Sequence, residues 1–287
     1  MTFDWPALVA RPAAFTDATA GVWFNAFAER LLNGCRLVAN GVPLRLIEVE
    51  AYYHGPGHED TFAHRDPVQL TGGRWYFHRT RGEYRGGSFK GLDIAFGHRE
   101  TNAFGGFLFR GVVLPDGSVI DGPSLTVDHL LKTTAHASVA ALDAVIGERL
   151  GWVEGLPIQL TALPELESRP LLKSIRVGLT LKRRKFKEND PALGYMLRSY
   201  RYLAEPKKTA KGKPHMVLPL IAAGQSPEDI TLLTGCPVAT VRRYAADFAS
   251  GRTLVTAEPY YGKEMSTADL CKLYGLWWTK YGVQSAA

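Results

Sequence analysis

Leu46-Ile47-Glu48-Val49-Glu50-Ala51-Tyr52-Tyr53 alternates apolar and polar side chains with a period of two, the pattern of a β-strand. Side chains on a strand project to opposite faces in turn. Glu48, Glu50 and Tyr52 therefore share one face, and Ile47, Val49 and Ala51 share the other. The apolar set suits a core. The polar set leaves two readings open. One is a solvated outer face whose glutamates pair with arginines. The other is a pocket wall, where carboxylates roughly 7 Å apart along the strand are close enough, if buried, to influence each other's ionisation and to supply a general base.

Working outward, residues 17–33 place Phe24, Phe27, Leu31 and Leu32 at helical spacing, with Asn33-Gly34 as a stop. After the central strand comes a long connection rich in Gly and His, with His54, His58, His64 and His78. Further strands are expected at 89–96, 106–113 and 175–181, and helices at 124–131 and 137–150. Gly72-Gly73, Gly86-Gly87 and Gly105-Gly106 mark turns or close backbone approaches. The first two hundred residues therefore read as mixed α and β, an α+β fold class. Arg110 sits in the apolar run 106–113, so its guanidinium needs a buried partner, and the Glu48/Glu50 pair is the candidate.

At 287 residues, with 46% hydrophobic and 11% aromatic content, the chain is long and apolar enough for a substantial core and is not disordered. Cys35, Cys236 and Cys271 are odd in number and far apart, which suggests neither a disulfide framework nor metal-ligand spacing. The opening Met1-Thr2-Phe3-Asp4-Trp5-Pro6 lacks the features of a signal peptide, and no run of about 18 apolar residues occurs. These features lead to the expectation of a cytoplasmic protein without membrane attachment, nucleoid-associated if bacterial.

Charge is concentrated. Residues 173–213 hold thirteen Lys or Arg against three Asp or Glu, a local excess of ten, which leaves the rest of this +6 chain four negative. Such a patch is an electrostatic footprint for phosphate. Glu205-Pro206-Lys207-Lys208-Thr209-Ala210-Lys211-Gly212-Lys213-Pro214 reads as a mobile linker. The domains are accordingly expected at 1–205 and 206–287. Beyond the linker, Ser226-Pro227-Glu228-Asp229 starts a helix that ends at Gly235. A second helix from about Pro237 to Gly251 turns Val238, Val241 and Ala245 inward and Thr240, Arg242 and Arg243 outward. Two short helices about a Gly turn suit a helix-turn-helix or an ordinary helical hairpin equally.

His54 and His58 are separated by Gly-Pro-Gly, which prevents the helix that would align them as metal ligands, and no cysteine is near enough to complete a site. No metal or cofactor is expected. No Gly-x-Ser-x-Gly elbow, Walker loop or dinucleotide fingerprint is present. What remains is carboxylates, an arginine, and aromatic faces such as Tyr52 and Phe96 on which a planar base could stack, with His64 as an added donor.

These residues occur in an order that resembles a known family. Ala28-Glu29-Arg30-Leu31-Leu32-Asn33-Gly34, Ile47-Glu48-Val49-Glu50-Ala51-Tyr52, His64, Gly87-Ser88 to Phe96-Gly97, Phe109-Arg110, Asp121-Gly122-Pro123-Ser124 and Arg176-Val177-Gly178-Leu179 together resemble the alkyladenine (3-methyladenine) DNA glycosylases across residues 20–205. Residues beyond 206 have no counterpart in that family's core. The resemblance implies an α+β fold with a mixed, curved, antiparallel-rich sheet and surrounding helices, to which the helix-turn-helix-like region is added, and a monofunctional enzyme, acting as a monomer on double-stranded DNA with a modified base. In it Glu50 would activate water, Glu48 and Arg110 would support it, Tyr52 would stack on the flipped base and His64 would hydrogen-bond it. Phe96 falls where the family inserts a tyrosine into the duplex, and Asp93 where it has a pocket aromatic. A carboxylate at 93 loses stacking and adds an acceptor or a second acid, and the family's gating asparagine has only Asn102 as a counterpart. Lys182, Arg183, Arg184, Lys207, Lys208, Arg242 and Arg243 are the expected DNA contacts. Two alternatives stand beside this reading. One is a non-catalytic nucleic-acid-binding protein or regulator on the same fold. The other is a glycosylase acting on hypermodified foreign (phage) DNA.

Overall fold

A computed structural model describes residues 3–282. It divides into two compact units, one of residues up to 59, 63–171 and 202–205, the other of 60–62, 172–201 and those from 206 on. Residues 172–201, grouped by sequence with the first part, thus make their contacts with the second.

The first unit contains helices α1 (Trp5–Val9), α2 (Ala20–Asn33), α3 (Pro123–Thr133) and α4 (Val139–Ile146). Its strands are β1 (Cys35–Ala39), β2 (Val42–Gly55), β3 (His58–Glu59), β4 (Trp75–Phe77), β5 (Arg79–Thr80), β6 (Glu83–Tyr84), β7 (Leu92–Ala95), β8 (Phe104–Val113), β9 (Val119–Asp121) and β10 (Ile158–Ala162). The main sheet runs β10-β1-β2-β8-β7-β4, every neighbouring pair antiparallel. The protein is therefore a mixed α+β structure with a large antiparallel sheet and surrounding helices.

Helix α2 forms where the spacing predicts it and stops at Asn33. Its buried residues Ala20, Trp23, Phe24, Phe27, Ala28 and Leu31 recur every three or four positions, which gives one apolar stripe. That stripe meets aromatic side chains from the sheet: Phe27 lies 4.6 Å from Phe107 and Phe24 lies 6.1 Å from Tyr53, between ring centroids. Each of these large side chains contributes about 1.5–3 kcal/mol by leaving water. The aromatic layer occupies one side of the sheet and commits the alternate residues of β2, β7 and β8 to the other.

In the second unit, α5 (Pro191–Met196), α6 (Lys213–Ala222), α7 (Pro227–Thr234), α8 (Val238–Gly251) and α9 (Thr267–Tyr281) form a helical group. Ser226 caps α7 by accepting the Asp229 N–H, and Gly235 ends it at φ +70°. Val241, Tyr244 and Phe248 are the buried face of α8, while Val238 and Ala245 are only half-buried.

Two expectations are corrected. Residues 175–181 do not form a strand. Gly178 adopts φ +87°, which interrupts an extended run, and the short strand Leu172–Ser174 precedes it. Residues 206–214 are not a mobile linker. The Arg201 guanidinium donates to the carbonyls of Lys211 (3.0 Å) and Gly212 (3.3 Å), and Lys213 Nζ donates to those of Pro206 (3.2 Å) and Thr234 (2.6 Å). Thr209 is buried, and α6 begins at Lys213. Among the described residues no helix is long and apolar enough to cross a membrane.

Candidate active site

Both faces of β2 are buried at its centre. Glu48 and Glu50 are fully enclosed, which removes the solvated-face reading. Strand β8 places Leu108 opposite Glu50, but the register slips between Leu46 and Val49, so that Glu48 faces Gly111 and Val49 faces Phe109. Such irregularities re-aim side chains. Here Arg110 reaches both carboxylates. Its Nε lies 2.6 Å from Glu48 Oε1 and 3.3 Å from Glu50 Oε1, and its terminal nitrogen lies 3.4 Å from Glu50 Oε2. Burial alone would lower the affinity of this guanidinium for its proton. Glu50 and Glu48 more than reverse that, so its pKa lies above the ordinary arginine value. The Tyr52 hydroxyl donates to Glu50 Oε2 at 2.8 Å while its ring stays half-buried. A buried carboxylate gripped by one guanidinium and one phenol has the components of an oriented base beside a flat aromatic surface.

The same face continues across β7 and β4. Glu50, Leu108, Asp93 and Tyr76 are successive register partners, so their side chains stand in one line on one side of the sheet. Asp93 is buried, and both its oxygens are engaged: His78 Nε2 lies 2.8 Å from Oδ1, and Gln69 Nε2 lies 3.4 Å from Oδ2. The sheet is cleared for these groups by glycines. A Cβ at Gly106 would lie 2.4 Å from Asp93 Oδ2, and one at Gly91 would lie 2.5 Å from the His78 ring. His64 packs edge-on to His78 at 4.3 Å and hydrogen-bonds Tyr76 Oη through Nδ1 at 3.0 Å. Burial first, then the proximity of His78 and Arg85, push its pKa down to about 3.

The chain is 34% identical over 172 residues to "Uncharacterized protein L759" of Acanthamoeba polyphaga mimivirus, a match spanning 55% of this chain and 79% of the viral one. The chain belongs to the family of that viral protein. No family model matches it. No solved structure matches it.

Of the residues singled out by sequence, Glu48, Glu50, Tyr52, Arg110, Asp93 and His64 lie on this polar face or at its margin. Phe96 does not. It is fully enclosed by Trp23, Phe24, Phe27, Tyr53 and Phe107, with ring centroids 5.0–5.7 Å away, and belongs to the aromatic layer. A wedge must protrude, and this ring does not. The exposed aromatic in this stretch is Phe89, 71% accessible in the turn Gly87–Phe89 ahead of β7. Asp93 is buried and accepts hydrogen bonds from His78 and Gln69, one on each oxygen. His78, Tyr76 and Gln69 were missed by sequence reasoning. A His and a Tyr two apart before a Gly-punctuated hairpin carried a weak signal, but their partner Asp93 lies 15 residues beyond His78.

The expected DNA contacts all lie in the second unit. Arg183 and Lys207 are exposed, as is Lys208. Lys182 pairs with Glu264, and Arg242 with Glu228 at 3.0 Å, both among exposed side chains. Arg184 is committed locally, donating to Thr61 Oγ1 at 3.0 Å and lying over the Phe62 ring. Arg243 is exposed beside the Tyr244 ring. Among the described residues no group of three or more His, Cys, Asp or Glu could hold a metal ion.

Proposed function

We propose that this protein is a monofunctional DNA N-glycosylase that flips a modified base from the duplex and hydrolyses its glycosidic bond, and that its first unit has an alkyladenine-glycosylase-like fold. The observation that carries the reading is the enclosed Glu50 carboxylate, tied to Arg110 and to the Tyr52 hydroxyl, on the sheet face that also bears Asp93 and His64. In this reading Glu50 takes a proton from water as the water oxygen attacks C1′. Arg110 and Glu48 hold the carboxylate in place, and the half-buried Tyr52 ring supports the extruded base. The excess positive charge of residues 173–213 supplies phosphate contacts, with Arg183, Lys207 and Lys208 as exposed groups and α8 offering Arg242 and Arg243.

The test is Glu50→Gln. The amide keeps the shape and the tyrosine contact but cannot accept a proton. The variant should bind a duplex with the substrate base as the parent does and leave no alkali-labile abasic site. Undiminished base release from it would sink the assignment. Sequence-specific binding by the parent without any base release would instead identify a non-catalytic binder.

A further inference from the structure

We propose that α8 is a recognition helix that seats in the major groove of duplex DNA, so that the second unit directs the protein to particular base sequences as well as gripping phosphate. The proposal concerns this unit alone and does not require the glycosylase reading. Only Gly235, Cys236 and Pro237 separate α7 from α8. Gly235 takes the left-handed turn at φ +70°, and Cys236 is buried. Thr234 Oγ1 accepts the Cys236 N–H at 3.1 Å and donates to the Ile230 carbonyl at 2.7 Å. Lys213 Nζ, from the first residue of α6, donates to the Thr234 carbonyl at 2.6 Å. The turn is therefore fixed. Each of α6, α7 and α8 packs against the other two, burying Met216, Val217, Ile230, Val241 and Tyr244. Helix α9 braces the far end of α8: a Cβ at Gly251 would lie 2.0 Å from the Lys272 carbonyl oxygen, and one at Gly275 would lie 2.1 Å from that of Phe248. Two helices about a tight turn, held rigid by a third, are how a helix is presented to DNA with one face free.

The face left free has a composition suited to a groove. Ala239, Arg242, Arg243, Ala246, Ala249 and Ser250 are all exposed. At about 100° per residue they fall within roughly 120° of the helix circumference, opposite the buried Val241, Tyr244 and Phe248. The stripe carries two cations among small side chains and no carboxylate. Its smoothness lets a helix about 10–12 Å across enter a groove about 12 Å wide, while each guanidinium fork matches O6 and N7 of guanine. The deep, narrow major groove of an RNA helix admits no such element. Arg242 pairs with Glu228 at 3.0 Å, an exposed contact that water screens and DNA can replace. The exposed Lys207 stands beside the turn, its Cγ 4.0 Å from where a Cβ on Gly235 would lie, in position for a phosphate at the groove edge. Alanines alone would equally suit a protein partner, whereas the cations on and beside them select a polyanion.

The experiment uses the full chain and unmodified duplexes with a randomised centre, enriched by repeated binding. The parent should enrich a short consensus containing guanine and bind it about 10-fold or more tighter than a scrambled duplex of the same composition. Arg242→Gln or Arg243→Gln, selected in the same way, should move one guanine of the consensus to adenine, the base that a glutamine amide matches, with the thermal midpoint unchanged. Putting 7-deazaguanine in place of that guanine removes the major-groove N7 acceptor and should weaken the parent's binding roughly 5-fold or more, a readout that needs no variant. Lys207→Ala should weaken selected and scrambled duplexes alike. No enriched consensus, a consensus that both glutamine variants leave in place, or 7-deazaguanine bound as tightly as guanine overturns the proposal. None of these readouts depends on base release, so a parent that excises nothing removes the glycosylase reading and leaves this one to be decided by the consensus.

Discussion

Phe96→Ala tests whether that ring is a core residue or a wedge that leaves the core to enter DNA. The ring is fully buried and has five aromatic neighbours at centroid distances of 5.0–5.7 Å, three of them on α2. Truncating a buried Phe costs about 3–5 kcal/mol through lost transfer free energy and the cavity left behind. That range already includes lost ring contacts, and the three edge-to-face contacts of Phe96 with α2 place it toward the upper end, about 4–5 kcal/mol. Urea unfolding followed by tryptophan fluorescence should show this as a lower midpoint with an unchanged slope. Phe89→Ala is the matched control. At 71% exposure its loss should change stability by no more than about 0.5 kcal/mol, while release of base from duplex falls if the exposed ring is the one that meets DNA. A Phe96→Ala variant that loses under about 1 kcal/mol and fails instead in duplex binding would refute the core assignment, because no fully packed ring is that inexpensive to remove.

Other consequences follow from the same geometry. Arg110→Met leaves two enclosed carboxylates without their shared guanidinium and should cost about 3–5 kcal/mol in urea unfolding. Adding Glu48→Gln should recover part of that by removing one buried charge. His64 has a folded-state pKa of about 3, well below its unfolded value near 6.5. The unfolded chain therefore binds the extra proton first, and stability is lost as pH falls below the unfolded pKa. Between pH 7.5 and 5 the parent should lose about 2 kcal/mol that His64→Asn does not, so identical pH profiles would contradict the buried neutral imidazole. Arg183→Ala and Lys207→Ala should each flatten the dependence of log affinity on log salt by about one. No change in slope from either would remove the second unit's exposed cations from the DNA contact.

Some of this molecule is written locally. The α2 stripe from Trp23 to Leu31, the Ser226-Pro227 start of α7 and the alternation of β2 each depend on residues within a turn or two, and each appears at the expected place. The pairing of Arg110 with the two glutamates was legible for a different reason. A guanidinium in a strand that apolar has to find a carboxylate, and few were on offer. Residues 175–181 show the limit of the same logic, since their apolar pattern suits a strand while a single left-handed glycine forbids it.

By itself the sequence determined which side chains share a face, because alternation along a strand and periodicity along a helix are properties of the backbone. Which face is buried, and beside what, was decided only by tertiary structure. Glu48 and Glu50 are enclosed because β8 returns 60 residues later with Arg110 at a register slip. Phe96 is core and Phe89 exposed because α2 covers one side of the sheet at that point, although both are phenylalanines in one short glycine-flanked stretch. Asp93 has His78 and Gln69 at its two oxygens because folding brought together residues 15 and 24 positions apart. Hydrogen bonds between residues distant in sequence depend on how strands are ordered in the sheet, and that order is set by the packing of the whole.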